Sequence, residues 1–129
     1  MRNDLGVPGV SRRVNQDGGV EKYRLLASGP GAYEVSNPSG AAENSLFGAT
    51  LDKAENGRGV TLQTFGFAEI EASGPIPANA EVQVGADGRI SDATGAVAGS
   101  YTRVGINQHA VTAAGALAMV DIRQLGAAT

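Results

Sequence analysis

Apolar and polar positions alternate along this chain in short bursts, and each burst ends on a turn cluster. Tyr23-Arg-Leu-Leu26 stops at Ser28-Gly-Pro30, Gly31-Ala-Tyr-Glu-Val35 stops at Asn37-Pro-Ser-Gly40, and Phe47-Gly-Ala-Thr-Leu51 runs on to Glu55-Asn-Gly57. A period of two, interrupted every few residues by Gly, Pro, Asn and Ser, predicts strands joined by tight turns. The longest run is Gly59 to Glu71. In it Val60 and Leu62 share one face, with Thr64 a third candidate, and Phe65, Phe67, Glu69 and Glu71 take the other, unless a bulge at Gly66 shifts the phase. Downstream, Glu81-Val-Gln-Val84 and Arg89-Ile-Ser91 flank Gly85-Ala-Asp-Gly88. Asp-Gly supplies the positive φ that a hairpin corner needs, so this glycine-rich stretch is predicted to be a turn and not a ligand loop.

Two segments interrupt the strand pattern. Ser73-Gly-Pro-Ile-Pro-Ala-Asn79 carries two prolines, which exclude a central strand or a helix interior. Asn107 to Ala118 is alanine-rich enough to be the one helical candidate, although Gly115 weakens it. Gly48–Gln63 and Gly105–Ile122 each read as a glycine, a small or polar stretch, a second glycine and a strand, which suggests a duplicated unit around one core. The expected fold is all-β: a small β-barrel or β-sandwich of short antiparallel strands. An extended N-terminal arm is expected over residues 1–19, where glycine recurs without an apolar period, and a single β-rich domain over 20–129. Removing residues 1–19 should then leave the body folded.

Composition narrows the function more than the fold. The 129 residues suit one domain. The large core formers, 8 Leu, 12 Val, 5 Ile and 3 Phe, make 28 residues, about 22% of the chain. Disorder sets in at roughly 20%, so the core is thin and a partner surface is expected to share in its stability. Net charge is −3, which suggests no nucleic-acid partner. No apolar run is long enough to span a bilayer, and the first residues lack a signal-peptide pattern, so no membrane partner is expected. Charge is uneven: residues 1–24 carry five basic and three acidic groups, and the other 105 carry five basic and ten acidic. Arg12 and Arg13 are therefore candidate contacts of the arm with an acidic neighbour, including another copy of the body.

Catalytic chemistry finds little footing. Cysteine is absent, His109 is the only histidine, and neither Lys22 nor Lys53 follows a glycine as a P-loop requires. Glu69 and Glu71 share a strand face but have no evident cleft around them, and so suggest a solvated edge more than a glycosidase pair. The expectation is no enzyme, with no catalytic residues, no cofactor and no metal.

The segments GATLDKAENGRGVTLQTFGFAEIEA, GPIPANAEVQVGADGRIS and VGINQHAVTAAGALAMVDIRQL, in that order, resemble small capsid cement or head decoration proteins of tailed bacteriophages. Some of that group carry the label predicted phage recombinase; the missing P-loop argues against ATP-driven strand exchange here. The resemblance covers about two thirds of the chain by the quoted span, with turns of a common type as its signposts. Asn79 stands where a glycine is more usual, and the arm has no counterpart. The resemblance implies a non-enzymatic protein, typically a homotrimer, on the outer capsid surface of the virion, made in the host cytoplasm and bridging subunits of the major capsid protein. Phe65 and Phe67 would then mark either the core or a subunit interface. The alternative is a monomeric β-module of the fibre or adhesin type that binds carbohydrate or a protein ligand through Tyr23, Tyr33 and Tyr101.

Overall fold

The computed structural model describes residues 9–97 and 99–127, and over them every regular element is a strand. Strands β1 (Gly9–Val14), β2 (Leu25–Ser28), β3 (Glu34–Ser36), β4 (Leu46–Thr50) and β5 (Gly59–Gln63) form a closed barrel in the order β1-β3-β2-β4-β5. Strands β6 (Gly66–Glu71), β7 (Glu81–Val84), β8 (Ile90–Asp92), β9 (Thr102–Asn107) and β10 (Leu117–Ala127) form a second sheet in the order β6-β10-β9-β7-β8. A parallel bridge between Ala72 and Ile90, with Ser73 N–H donating to the Ile90 carbonyl at 2.8 Å, draws the two ends of that sheet together. The all-β expectation holds. The pairing is antiparallel except between β1 and β3, which run parallel with Arg13 opposite Glu34.

Strand alternation explains how so few large residues fill two cores. Side chains at successive positions leave a strand on opposite faces, so one strand can serve two cavities. In β2, Leu26 enters the barrel interior with Val14, Val35, Val60 and Leu62, whereas Leu25 enters the core beneath the second sheet. In β4, Leu46 and Ala49 face the second core, and Phe47 packs against the barrel core. The second core is otherwise built from Ala68, Ile70, Ile76, Val82, Val84, Ile90, Val104, Val120 and Ile122, all nearly inaccessible. A register shift in the β2/β4 pairing, where Leu26 lies opposite Gly48 and Ala27 opposite Leu46, accommodates Phe47.

The long run from Gly59 to Glu71 resolves into two strands in two sheets. Gly66 adopts φ 87°, and the chain leaves the barrel there to begin β6. After the bend Ala68 and Ile70 point inward while Phe67 and Glu69 point to solvent. The conflict of phase predicted around Gly66 is thus a change of sheet and not a bulge within one strand.

The Asp87-Gly88 corner forms as predicted. Val84 pairs with Ile90, Gly85 N–H donates to the Arg89 carbonyl at 2.9 Å, and Gly88 takes φ 84°. The Asp87 carboxylate accepts from Arg89 N–H at 3.0 Å and Nε at 2.7 Å. Partial burial works to raise its pKa, yet the Arg89 backbone and guanidinium bonds prevail and hold it below the ordinary value. The corner also docks on the barrel: Leu25 N–H donates to the Gly88 carbonyl at 2.8 Å, and a Cβ on Gly88 would lie 2.6 Å from the Leu25 oxygen. Asn79 takes φ 64°, the conformation that a glycine would adopt without strain, and its N–H donates to the Asn107 carbonyl at 2.7 Å.

Two expectations fail here. The alanine-rich stretch from Asn107 to Ala118 forms no helix. It is a looped segment pinned by the Ile76–Val111 bridge, with Asn107 buried and its amide nitrogen within reach of the Ile76, Pro77 and His109 carbonyls. Local alanine propensity is outweighed by those tertiary bonds. The proposed arm over 1–19 does not extend freely through residues 9–14. These form β1, which runs from Gly9 opposite Gln63 to Arg13 opposite Gly59 and closes the barrel against β5, with Val14 in its core. Residues 1–8 lie outside the described residues. The two segments read as duplicates lie in different sheets: β4 pairs directly with β5 in the barrel, and β9 pairs directly with β10 in the second sheet.

Two stability measurements follow from this architecture. Gly88→Ala forces a side chain into both a positive φ and the Leu25 carbonyl, and chemical denaturation should show a loss of about 2 kcal/mol or more. Deleting residues 1–14 removes the closing strand and one core valine. Circular dichroism and thermal melting of that variant should show loss of the cooperative transition, contrary to the expectation that the body is independent of its first 19 residues.

Candidate interaction site

The four residues singled out as assembly contacts fall in two places. Arg12 and Arg13 sit on β1. Arg12 lies opposite Val60 in register and shares a strand face with Val14, so its side chain enters the barrel mouth and not open solvent. There its guanidinium carbon lies 4.6 Å from the centre of the Phe47 ring and 5.4 Å from that of Tyr33. Such a position between two ring faces is attractive for a cation. Among the described residues its NH1 donates to the Ser11 carbonyl at 2.8 Å, and no ion pair involves it. Arg13 points the other way and is exposed.

A shallow cavity of about 400 Å³ opens beside this stack. Ser11, Arg12, Arg13, Ala32, Tyr33, Gly57 and Gly59 line it, so both candidate arginines border one cavity and, among the described residues, no acidic residue does. Arg58, between the two lining glycines, is exposed as well. Tyr33 is 75% exposed and is held at φ 61°. Its carbonyl accepts from Arg13 N–H at 2.8 Å, which fixes the backbone of the tyrosine to β1.

Phe65 and Phe67 form the second place. They are 57% and 62% exposed, so the core alternative for them does not hold; both stand outward on either side of the Gly66 bend. Gln63, only 4% exposed, fixes that bend: its Nε2 donates to the Phe65 carbonyl at 3.0 Å and the Phe67 carbonyl at 2.8 Å. Glu71 N–H donates to the Tyr23 carbonyl at 2.9 Å. The free edge of β6 is therefore occupied at both ends, which discourages strand addition and leaves side chains to make any contact.

The remaining candidates are structural in setting. Glu71 lies 3.4 Å from Arg24 and 3.6 Å from Arg89, at the joint between barrel and sheet. Glu69 is exposed on the same strand face. Tyr101 donates to the Glu81 carboxylate, which raises the phenol above its ordinary pKa. Tyr23 lies under the Lys22 ammonium at 4.7 Å, and that contact raises the lysine. The three tyrosines thus share no single binding face formed from stacked rings. His109 is exposed, and no group of three or more potential metal ligands occurs among the described residues.

Sequence reasoning missed Gln63, Thr50 and Phe47. Thr50, fully buried, accepts from Arg24 N–H at 2.9 Å and donates to the Glu21 carbonyl at 2.7 Å, a link that only the folded barrel brings about. Gln63 stood in the text as a polar residue directly after buried Leu62, and that was its signal.

With this geometry in hand, comparison with solved structures finds the same fold elsewhere. The chain is similar to the solved structure of the head fiber gp8.5 N base in bacteriophage phi29, with a TM-score of 0.66 and 18% identity over 92% of this chain and 97% of that one. At that identity the likeness shows a shared fold. No protein-family model matches the chain, and no curated protein does.

Replacing Gln63 by Leu keeps the bulk and removes both bonds to the bend. The two carbonyls then lose their buried donor, and denaturant unfolding should report a loss of about 1–3 kcal/mol.

Proposed function

We propose that this protein is a structural, non-enzymatic component of a phage head, seated on the outer surface of the capsid of the virion, where it bridges subunits of the major capsid protein as a decoration protein. The observation that supports this reading most is the shared fold with a head fiber base over nearly the full length of both chains. The resemblance of three ordered segments to capsid cement proteins points the same way. So does the construction of the molecule: a rigid double-cored scaffold whose unusual features, the Arg12 stack and the Phe65/Phe67 bend, lie at the surface.

The energetics fit a protein that works in an array. Binding only to the expanded head stabilises that state by mass action, and many modest contacts repeated over a lattice sum to a large effect. A thin core suits such a role because partner surfaces add to stability. The homotrimer implied by the resemblance belongs to this proposal.

A fibre-type module is the second reading, favoured by the kind of protein that shares the fold. The two differ in what the chain does at the head: a fibre-type module binds a further ligand, and a decoration protein completes the lattice itself.

Sedimentation of the purified chain with expanded heads of the phage that encodes it tests the proposal. Saturable binding that raises the temperature at which heads disrupt is the expected result. Binding at a few unique positions without any gain in head stability would favour the fibre base, and no binding to heads at all would refute both.

A further inference from the structure

The two surface features complement each other in chemistry, and no hydrogen bond or ion pair joins Arg12 to Glu69 among the described residues. The barrel faces the second sheet through β2 and β4, whose residues enter the shared core, and β1 lies on the far side of the barrel circuit, separated from them by β3 and β5. Arg12 therefore sits on a strand that is not next to β6 in either sheet. The cavity is basic and aromatic, with Arg12, Arg13 and Tyr33 in its lining and no acid among the described residues. The β6 face is apolar and acidic: Phe67 is 62% exposed, Glu69 is exposed, and Met119 lies directly opposite Glu69. Lys22 is within electrostatic reach of Glu69, yet no ion pair joins them among the described residues.

We propose that the Arg12–Tyr33 cavity of one copy receives the Glu69–Phe67 face of a second copy, a head-to-tail contact that closes into a ring. The Arg12 guanidinium is held in place by two rings and keeps N–H donors available, so it offers a carboxylate a paired hydrogen-bonded contact at little cost in ordering. Tyr33, extended over the cavity, supplies the apolar surface on which Phe67 rests. Opposite signs on the two faces steer this encounter and disfavour face-to-face pairing of like surfaces. Such a heterologous contact closes into a ring when its rotation is a whole fraction of a turn, and a threefold ring is the oligomer that the proposed function names. The inference thus rests on that reading for the number of copies, but not for the surfaces.

Analytical ultracentrifugation of the full chain tests the contact. Wild type should self-associate into a closed species. Arg12→Glu and Glu69→Arg should each weaken association at least tenfold, and the double variant R12E/E69R should regain it, because the reversed charges meet across copies. Since Arg12 also covers the barrel mouth, a second probe leaves it alone. Gly59 is exposed, has an ordinary φ, and a Cβ there would meet only the Arg12 carbonyl oxygen at 4.0 Å, so Gly59→Gln fills the cavity without disturbing the strand. It should weaken association as strongly while leaving circular dichroism and melting unchanged. A wild type that stays monomeric at millimolar concentration overturns the contact, as does association unchanged in G59Q and E69R. Sedimentation of these same variants with heads separates the two ideas: head binding that persists in a monomeric wild type leaves the proposed capsid role standing and removes the contact together with the trimer.

Discussion

One wall of the barrel serves two cores, and the rest of the molecule depends on it. Leu25 and Leu26 are adjacent, both inaccessible, and belong to different hydrophobic clusters. A buried leucine is worth roughly 1.5–3 kcal/mol, so this pair alone ties barrel and sheet to one another with a few kcal/mol that neither unit has by itself. The backbone on either side of the pair is committed in the same way. Leu25 N–H is bonded to the hairpin corner at Gly88, Tyr23 C=O to Glu71 N–H, and Arg24 is bracketed by Thr50 on its main chain and Glu71 on its side chain. Arg24 Nε is buried without a hydrogen-bond partner, a local cost carried by the packing around it.

That joint sets what the surface can do. Because the two units share strands, the barrel mouth and the Phe65/Phe67 bend are held at a fixed relation to each other, which an assembling protein needs and a flexible two-domain chain lacks. The same economy explains the composition: alternate residues of β2 and β4 go to different cores, so the shared strands let few large apolar residues suffice where two independent domains of this size would be marginal.

Much of the fold was legible because strands announce themselves locally. The Asp87-Gly88 corner and the class of the fold follow from alternation and turn chemistry, and the glycine-like geometry of Asn79 follows from its departure from the expected glycine. What the sequence hid were the long-range commitments. Gly66 reads as a bulge or a break with equal ease, and only the destination of β6 in the other sheet decides. Residues 9–14 read as an arm because a barrel strand with Gly, Ser and two arginines in six positions has little apolar period; closure by β5 and β3 supplies what the pattern lacks. The alanine-rich stretch after Asn107 read as helix because the amide bonds of that residue to three carbonyls are invisible in a local window. For the site, Arg12 and Arg13 were found by charge, but the rings that hold Arg12 come from β4 and the loop before β3, and such a meeting has no signature in spacing.

The role we propose for this double-cored scaffold lies at the outside of a phage head. Electron cryomicroscopy of heads of the encoding phage, with and without the protein, tests it most directly. The account predicts added density on the outer surface that fits the barrel and sheet as one rigid unit and touches more than one capsid subunit. Density inside the shell, or heads whose maps are identical with and without the chain, would contradict it.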